Sequence, residues 1–551
     1  MSGALDCIII GSHEINVHTR MMALERMKHI SGAYFPMTAS LAKFRGRWIG
    51  AMDLLNTILQ EASGKKFDFH ILDLPNLAVC YLTSYLLRRD FHIEAINFFD
   101  KGKDRLADLL RQGPRAVAIS TSMYGEETPI QEVVQFIRKH NDETRIIVGG
   151  PYIFTTCSLW DTTTQDHLFA KIGADIYIYD SQGERTLESV LRQLRENGKD
   201  LEAIPNLIYR DDQKTTDDRH LRQSLLPAFV RTPRAIEDND VDLNAIDWQF
   251  FPKTLYSPTT LMRISRGCPF SCAFCTYPVM GGAFKPISLD VLEREMQQFA
   301  AAGVRNIIFI DDTFNASMPR FKKILGMMIQ NRFDFKWHSM LRIANTDDET
   351  FDLLQESGCV QLQLGIESGS QRILDDMDKR ATVEQYRNGI RRARERGIRT
   401  VGSCIVGYPG ETQESCAATQ SFIQETQPTY YFANLYFHSN NAPIARQAEK
   451  FGLKGSGYSW RHRTMDWQEA WKAIAAMFHA IEGPLLPPHH MFYTNFAPPY
   501  LVSKGLSQEH INEFFRLWQP LIMDNLDGKD HDYQAFFALA QRIVHDLKFL
   551  E

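Results

Sequence analysis

The chain has 551 residues and a mass of 63.4 kDa, which at about 150 residues per domain predicts three or four domains. Hydrophobic residues make up 44% and charged residues 23%, a globular balance that excludes wholesale disorder. The 61 Lys and Arg against 67 Asp and Glu leave a net charge of −6, which argues against a nucleic-acid-coating surface. No apolar run approaches the ~18 residues that span a bilayer, so neither membrane nor nucleic acid is an expected partner. Nine sparse cysteines point to a reducing cytoplasmic setting rather than a secreted disulfide scaffold. The start, MSGALDCIIIG, reads as a buried strand and not as a secretion signal.

In chain order, residues 1–215 alternate strands and helices. Strands are expected at Cys7–Ile10, Ile93–Phe99, Ala116–Ser120, Ile146–Val148 and Ile176–Tyr179. Helices are expected at Asn76–Arg89, Arg105–Arg111, Ile130–His140 and Arg185–Asn197. This is the α/β pattern of a doubly wound, Rossmann-like domain, with ligands taken at the carboxyl ends of the strands. The loops of interest are then Ser120 to Gly125 (including Ser122 and Tyr124), Gly149-Gly150-Pro151 and Ser181 to Glu184 (including Gly183). Residues 216–255, polar and interrupted by Pro227, Pro233 and Pro252, read as a linker.

Residues 256–450 repeat a strand–helix unit. Strands at Leu261–Ser265, Asn306–Ile310, Trp337–Arg342, Gln361–Ile366 and Thr400–Val406 each run into polar or glycine-rich residues. The pattern predicts a partial or full (β/α) barrel with its site at the carboxyl ends of the strands. Residues 451–551 read as a mainly helical domain. It opens on the capping-box pair Asp466 and Glu469 before an apolar stripe of Trp467, Trp471, Ile474, Phe478 and Ile481. The aromatic, proline-rich stretch 455–500 is expected to cap the barrel mouth and touch substrate.

The chemistry concentrates in RGCPFSCAFCTYP, where Cys268, Cys272 and Cys275 are spaced x3 and x2 directly after a strand. Three thiolates on one tight loop hold three irons of a 4Fe–4S cluster and leave the fourth open to a ligand. The alternative is a zinc knuckle completed by a distant Cys or His. Cys7, Cys80, Cys157, Cys359, Cys404 and Cys416 read as core packing.

The triplet, with Phe274 before its last cysteine, resembles the radical S-adenosylmethionine (SAM) enzymes. The resemblance spans about Leu261 to Pro443. It implies that the open iron chelates the amino and carboxylate groups of SAM, whose reductive cleavage gives a deoxyadenosyl radical. By position it assigns SAM contacts to Asp311 and Asp312, to Glu367 and Ser368, and to Gly407 in the turn Ile405 to Glu411. Arg342 could pair with the SAM carboxylate. Each of these polar residues has the alternative reading of a cap or turn.

The N-terminal domain resembles the cobalamin-binding domain of the cobalamin-dependent subfamily, through Asn76 to Leu82, Val148-Gly149-Gly150-Pro151 and Gly183-Glu184-Arg185-Thr186-Leu187. The Asp-x-His-x-x-Gly signature is absent; Asp68-Phe69-His70 and Asp90-Phe91-His92 lack its glycine. The resemblance then implies a cobalt whose lower face is not held by a protein histidine. Residues Tyr458 to Asp466 resemble a stretch in natural-product methyltransferases such as phosphinate P-methyltransferases and a tryptophan C-methyltransferase. The implied function is a radical SAM methyltransferase carrying a 4Fe–4S cluster, SAM and cobalamin. It would methylate an unactivated carbon or phosphinate centre of a small molecule or peptide, with electrons from a flavodoxin or ferredoxin. The alternatives are a cyclase or rearranging enzyme on the same architecture, or a non-catalytic Fe–S or zinc protein.

Overall fold

The computed structural model describes residues 5–196, 200–210, 229–344, 346–488 and 491–548. They form two compact units. One comprises 1–15 with 75–255, the other 16–74 with 256–551.

The first unit is built on a seven-stranded sheet. Its strands are β1 (Cys7–Ser12), β2 (Ile93–Phe98), β3 (Ala116–Ser120), β4 (Arg145–Gly149), β5 (Ile176–Ile178), β6 (Leu207–Arg210) and β7 (Phe229–Arg231). They lie in the order β2-β1-β3-β4-β5-β6-β7. The first five are parallel, while β6 and β7 add antiparallel hairpin strands. Alternate residues face opposite layers. Ile8, Ile10, Val117 and Val148 pack with helices Phe99–Leu110 and Glu127–His140. Cys7, Ile9, Ala118 and Ile147 pack with Leu77–Leu87 and Glu184–Arg195. Such two-sided burial requires the near-continuous apolar strands seen in the sequence.

The two units depart from the expected domains. Residues 16–74 fall within the span 1–215 expected of the first domain, yet they pack in the second unit. Tyr533 donates to the Lys43 carbonyl, and Asn525 to those of Thr38 and Leu41. The described part of the 216–255 linker is an integral edge of the first unit: it supplies β7, and Glu237 caps a helix. The Glu237 carboxylate accepts from the backbone N–H groups of Arg185 and Thr186 at 2.9 and 2.8 Å, satisfying orphan donors at a helix N-terminus. Residues 216–228 and Asn197 lie outside the described residues.

His13, just past β1, shows what pins this sheet's carboxyl edge. Its two ring nitrogens each lie 2.7 Å from a carboxylate, Asp100 and Glu132. Burial pulls the imidazole pKa down, but the two carboxylates outweigh it and the net shift is upward. A raised folded pKa contributes stability that is complete below ~6.5 and is lost as pH rises through the folded value. Asp100 is depressed against its own burial by His13, the Glu14 N–H and Lys103, so its share is lost only on strong acidification. Thermal melts should therefore show stability falling from pH 6 toward alkaline pH. His13→Ala should flatten that slope and cost about 2 kcal/mol at pH 6, discounted on the Glu132 side because that carboxylate is half exposed.

The second unit has six parallel strands: β8 (Thr259–Met262), β9 (Asn306–Phe309), β10 (Lys336–Leu341), β11 (Cys359–Glu367), β12 (Arg399–Val406) and β13 (Tyr430–Leu435). They pair in sequence order, with helices such as Leu289–Ala302, Met318–Gln330, Val383–Glu395 and Gln413–Thr426 between them. Gly303 ends the first of these helices in the left-handed region, where glycine is favoured. Loops following the first and last strands meet, since the Ile444 N–H donates to the Ala273 carbonyl at 2.9 Å. This is the partial barrel expected from the repeat. The capping box of Asp466 and Glu469 forms as expected, with Trp471, Ile474, Phe478 and Ile481 buried behind it.

Residues 451–551 fold as part of this second unit rather than as a separate domain. The stretch 455–500, expected to cap the mouth, divides. The hairpin Lys454–Ser456/Ser459–Arg461 sits at the carboxyl end, where the Trp460 indole N–H donates to the Tyr436 carbonyl just past β13. Helix Met491–Ser503 lies at the amino end. Thr259, first in β8, donates to the Pro499 carbonyl, and Asn495 bonds Gln361 and Gln363 on β11. The side chains of Phe492 and Tyr493 lie outside the described residues. Among the described residues no helix is long and apolar enough to cross a membrane.

Candidate active site

Cys268, Cys272 and Cys275 lie on a loop whose ends are clamped by a short hairpin, Ser265–Arg266 against Lys285–Pro286. The loops after β9, β10, β11 and β13 each send a contact to this loop. Past β9, Asp311 accepts from the Ile264 N–H at 2.9 Å and the Ser265 hydroxyl at 2.6 Å. Past β10, Arg342 donates through Nη1 to Cys272 Sγ at 3.5 Å. Past β11, the Met377 carbonyl accepts from the Ala273 N–H at 2.8 Å. All nine cysteines are free, Cys272 buried and Cys268 and Cys275 half-buried. Burial pushes the Cys275 thiol up to about 11, reinforced by Cys272, Asp312 and Cys268. Such a thiol gives up its proton to a metal rather than to solvent.

The other expected contacts divide into scaffold and open positions. Asp311 spends both oxygens on the cysteine loop, and burial raises its pKa to about 6. Ser368 is fully buried; its hydroxyl meets Thr419 Oγ1 at 3.3 Å and accepts from the Ser370 N–H. Both serve the turns they occupy. Asp312 is exposed and accepts from the Tyr277 hydroxyl. Glu367 sits at φ +66°, a conformation a non-glycine residue keeps only under constraint, and pairs with Lys379 at 2.8 Å. That ammonium lies 5.7 Å from the Phe274 ring centroid, so Phe274 roofs the pair. Phe270, which stacks under Arg342 at 4.0 Å, is signalled only by lying inside the cysteine motif, and Lys379, far along the chain from it, carries no signal in the sequence.

Gly407 holds φ +92°, and a Cβ there would lie 2.4 Å from the Trp460 ring and 2.7 Å from Ala470 Cβ. Its N–H donates to Glu411 at 2.6 Å; burial pushes that carboxyl up to about 7. His462 stacks parallel on Trp460 at 5.4 Å, and burial pulls its pKa down to about 4. Gly407→Ala should destabilise the protein by about 3 kcal/mol, from left-handed strain plus overpacking. Chemical denaturation checks this.

In the first unit the strand order reverses between β1 and β3, which places the ligand crevice outside their carboxyl ends. There the Asn76 amide donates to Ser12 Oγ at 3.1 Å and accepts from Ser122 Oγ at 3.3 Å, and Ser120 meets Ser122 at 3.4 Å. Tyr124 is buried and donates to the Gly11 carbonyl. Gly150 has φ +107°, a conformation that favours glycine, and Pro151 opens the next helix as its first residue. The Gly149 carbonyl accepts from Thr121 at 2.8 Å. Gly183 caps helix Glu184–Arg195, next to Asp180, whose Oδ2 is buried without a partner. The expected residues Ser120, Ser122, Gly149, Gly150, Pro151 and Gly183 thus share one edge, while Tyr124 is turned into the core.

Residues 262–423 match the model of the Radical SAM superfamily. An uncharacterized methyltransferase of Pyrococcus horikoshii is 25% identical over 370 residues, covering 65% of this chain and 74% of that protein. A tRNA-2-methylthio-N(6)-dimethylallyladenosine synthase of Ruegeria sp. is 28% identical over 210 residues, and the match spans 48% of that enzyme. Among solved structures, the radical SAM methyltransferase TsrM of Kitasatospora setae, with cobalamin and a 4Fe–4S cluster bound, superposes with TM-score 0.58. It is 18% identical, with 83% of this chain and 97% of that one covered. The cobalamin-dependent SAM radical enzyme OxsB, with aqua-cobalamin and SAM bound, gives 0.60 at 13% identity, covering 99% of this chain and 79% of that one. The chain therefore has the α/β fold of the cobalamin-dependent radical SAM enzymes.

Proposed function

We propose that this protein is a cobalamin-dependent radical SAM methyltransferase acting on an unactivated carbon or phosphinate centre of a small molecule or peptide. The observation that carries the reading is the free cysteine triplet on the loop after β8, drawn into the mouth of a six-stranded partial barrel by contacts from the loops after β9, β10, β11 and β13. The site fits a cluster. Three thiols form the donor set, and Arg342 keeps Nη2 buried without a partner, a cation waiting for negative charge. Among the described residues no three His, Cys, Asp or Glu side chains converge on one metal ion; a cluster instead spreads its thiolates over separate irons.

Cys268, Cys272 and Cys275 hold the cluster. Arg342 Nη2 and Asp312 face the SAM amino-acid moiety, with Glu367 held in place by Lys379 and the Gly407 turn shaping the adenine side. In the first unit, the polar edge of Ser12, Asn76, Ser120 and Ser122, with the Gly149–Gly150 turn, holds cobalamin, and no histidine is assigned to cobalt. His13 has both nitrogens engaged. When bound, these cofactors supply the radical and the transferable methyl group; the protein orients them and keeps water out. The setting is cytoplasmic, with electrons from a flavodoxin or ferredoxin.

Incubation of the anaerobically reconstituted protein with SAM and dithionite tests the reading. It should yield 5′-deoxyadenosine only when the cluster is loaded, and S-adenosylhomocysteine only when cobalamin is supplied. Deoxyadenosine without any cobalamin-dependent demethylation of SAM would favour ring formation or rearrangement instead.

A further inference from the structure

The inference concerns the charge beside the cluster cysteines and rests on the cluster reading above. Three cations act on Cys272, and they differ: Arg342, Lys379 and Arg380, of which Arg380 is paired with Asp378 at 3.0 Å. Lys379 is neutralised by Glu367 at 2.8 Å. Arg342 has no carboxylate within ion-pair distance among the described residues, although it is partly buried. Its position is fixed from three sides. Asn315 accepts from the Arg342 N–H at 2.9 Å and donates to its carbonyl at 2.7 Å. The guanidinium carbon stacks 4.0 Å from the Phe270 ring centroid. Nη1 then points at Cys272 Sγ at 3.5 Å.

Asp378 is near enough to feel Arg342, but its ion pair is with Arg380; a cation so firmly held without an ion pair of its own is costly unless further negative charge arrives beside it. The cysteine it touches provides that charge once it ligates iron as a thiolate.

We infer that Arg342 is a positioning residue for the cluster itself: its guanidinium donates to the Cys272 thiolate and raises the cluster's reduction potential. The reduction adds one electron, drawn from dithionite in vitro or from a ferredoxin- or flavodoxin-class donor. No bond breaks, and the cluster with its thiolates becomes more negative by one charge. A fixed cation with a hydrogen bond to the sulfur stabilises the reduced form more than the oxidised form. Hydrogen bonds to cluster sulfurs are a recognised lever on potential. Arginine suits the role because it stays charged throughout and presents a rigid fork.

The test is a redox titration of the full-length, iron-reconstituted protein without SAM, followed by the paramagnetic signal of the reduced cluster. Arg342→Gln should retain iron and shift the reduction equilibrium at least tenfold toward the oxidised form, which is about 59 mV for one electron. Arg342→Lys, keeping the charge, should recover most of that shift. A cluster in Arg342→Gln that titrates at the wild-type potential overturns the assignment. Should that variant not retain iron, Phe270→Leu, which frees the guanidinium without removing it, must shift the potential in the same direction, and an unmoved potential there overturns the assignment equally. A wild-type chain that takes up no iron refutes the cluster reading instead, so the two failures are distinguishable.

Discussion

Replacing Cys268, Cys272 and Cys275 together by alanine is expected to leave a folded protein that retains essentially no iron and no detectable SAM cleavage, a loss of roughly a thousandfold or more, or ~4 kcal/mol of transition-state stabilisation. The fold should survive because the thiols are not what holds the loop. Its ends are paired as a hairpin, and its centre is fixed by the Ala273 backbone bonds to Met377 and Ile444. Asp311 ties its base to β9 through two hydrogen bonds. Only the chemistry resides in these three sulfurs, since this loop offers iron no other thiolate. Iron and sulfide analysis with a thermal melt separates the two effects. Retention of about four irons by the triple variant would show that the cluster is held elsewhere.

The second large effect is structural. Asn495→Leu should destabilise the second unit by about 2–5 kcal/mol. Asn495 carries helix Met491–Ser503 onto the barrel interior, accepting from the Gln361 amide at 3.3 Å and donating to the Gln363 amide oxygen. All three residues are buried. Leucine conserves the volume approximately but strands the buried Gln363 amide oxygen, at ~1–3 kcal/mol, and removes the Asn495 bond from the Gln361 amide and the polar anchoring of the helix, at ~1–2 kcal/mol more. Arg399, 3.4 Å from Gln361, shares the same polar layer. Urea denaturation measures the loss, and an unchanged midpoint would mean that the helix is not keyed into the barrel by this residue.

Strand and helix periodicity made most of both sheets legible. The apolar runs at Cys7–Ile10, Ala116–Ser120 and Ile146–Val148 are strands because they are buried on both faces, and each strand of the barrel repeat from Asn306 to Val406 is found within a residue or two. The cysteine triplet, the Gly407 turn and the Asp466 cap could be read because their partners are local. What could not be read depends on distant partners. Residues 16–74 carry none of the strands and helices by which the sequence marks the first domain, and their companions lie more than 400 positions away, as with Lys43 and Tyr533. Nothing in the sequence distinguished Asp311, which binds the loop, from Asp312, which is exposed. Nor did it separate Trp460 at the carboxyl end of the barrel from Asn495 at the amino end, although one proline- and aromatic-rich stretch contains both. β13 has no alternation to mark it, since Tyr430–Leu435 is nearly all apolar with one polar residue, and Glu237 lies in a segment of linker composition.

The central claim is that one chain holds a cysteine-ligated 4Fe–4S cluster and a cobalamin. Anaerobic reconstitution with iron, sulfide and hydroxocobalamin, followed by gel filtration and metal analysis, tests it most directly. The account predicts about four irons and one cobalt per chain, with the iron, but not the cobalt, lost in the Cys268, Cys272 and Cys275 variant. A protein that elutes with stoichiometric zinc, or with iron but no cobalt at saturating cobalamin, would contradict it.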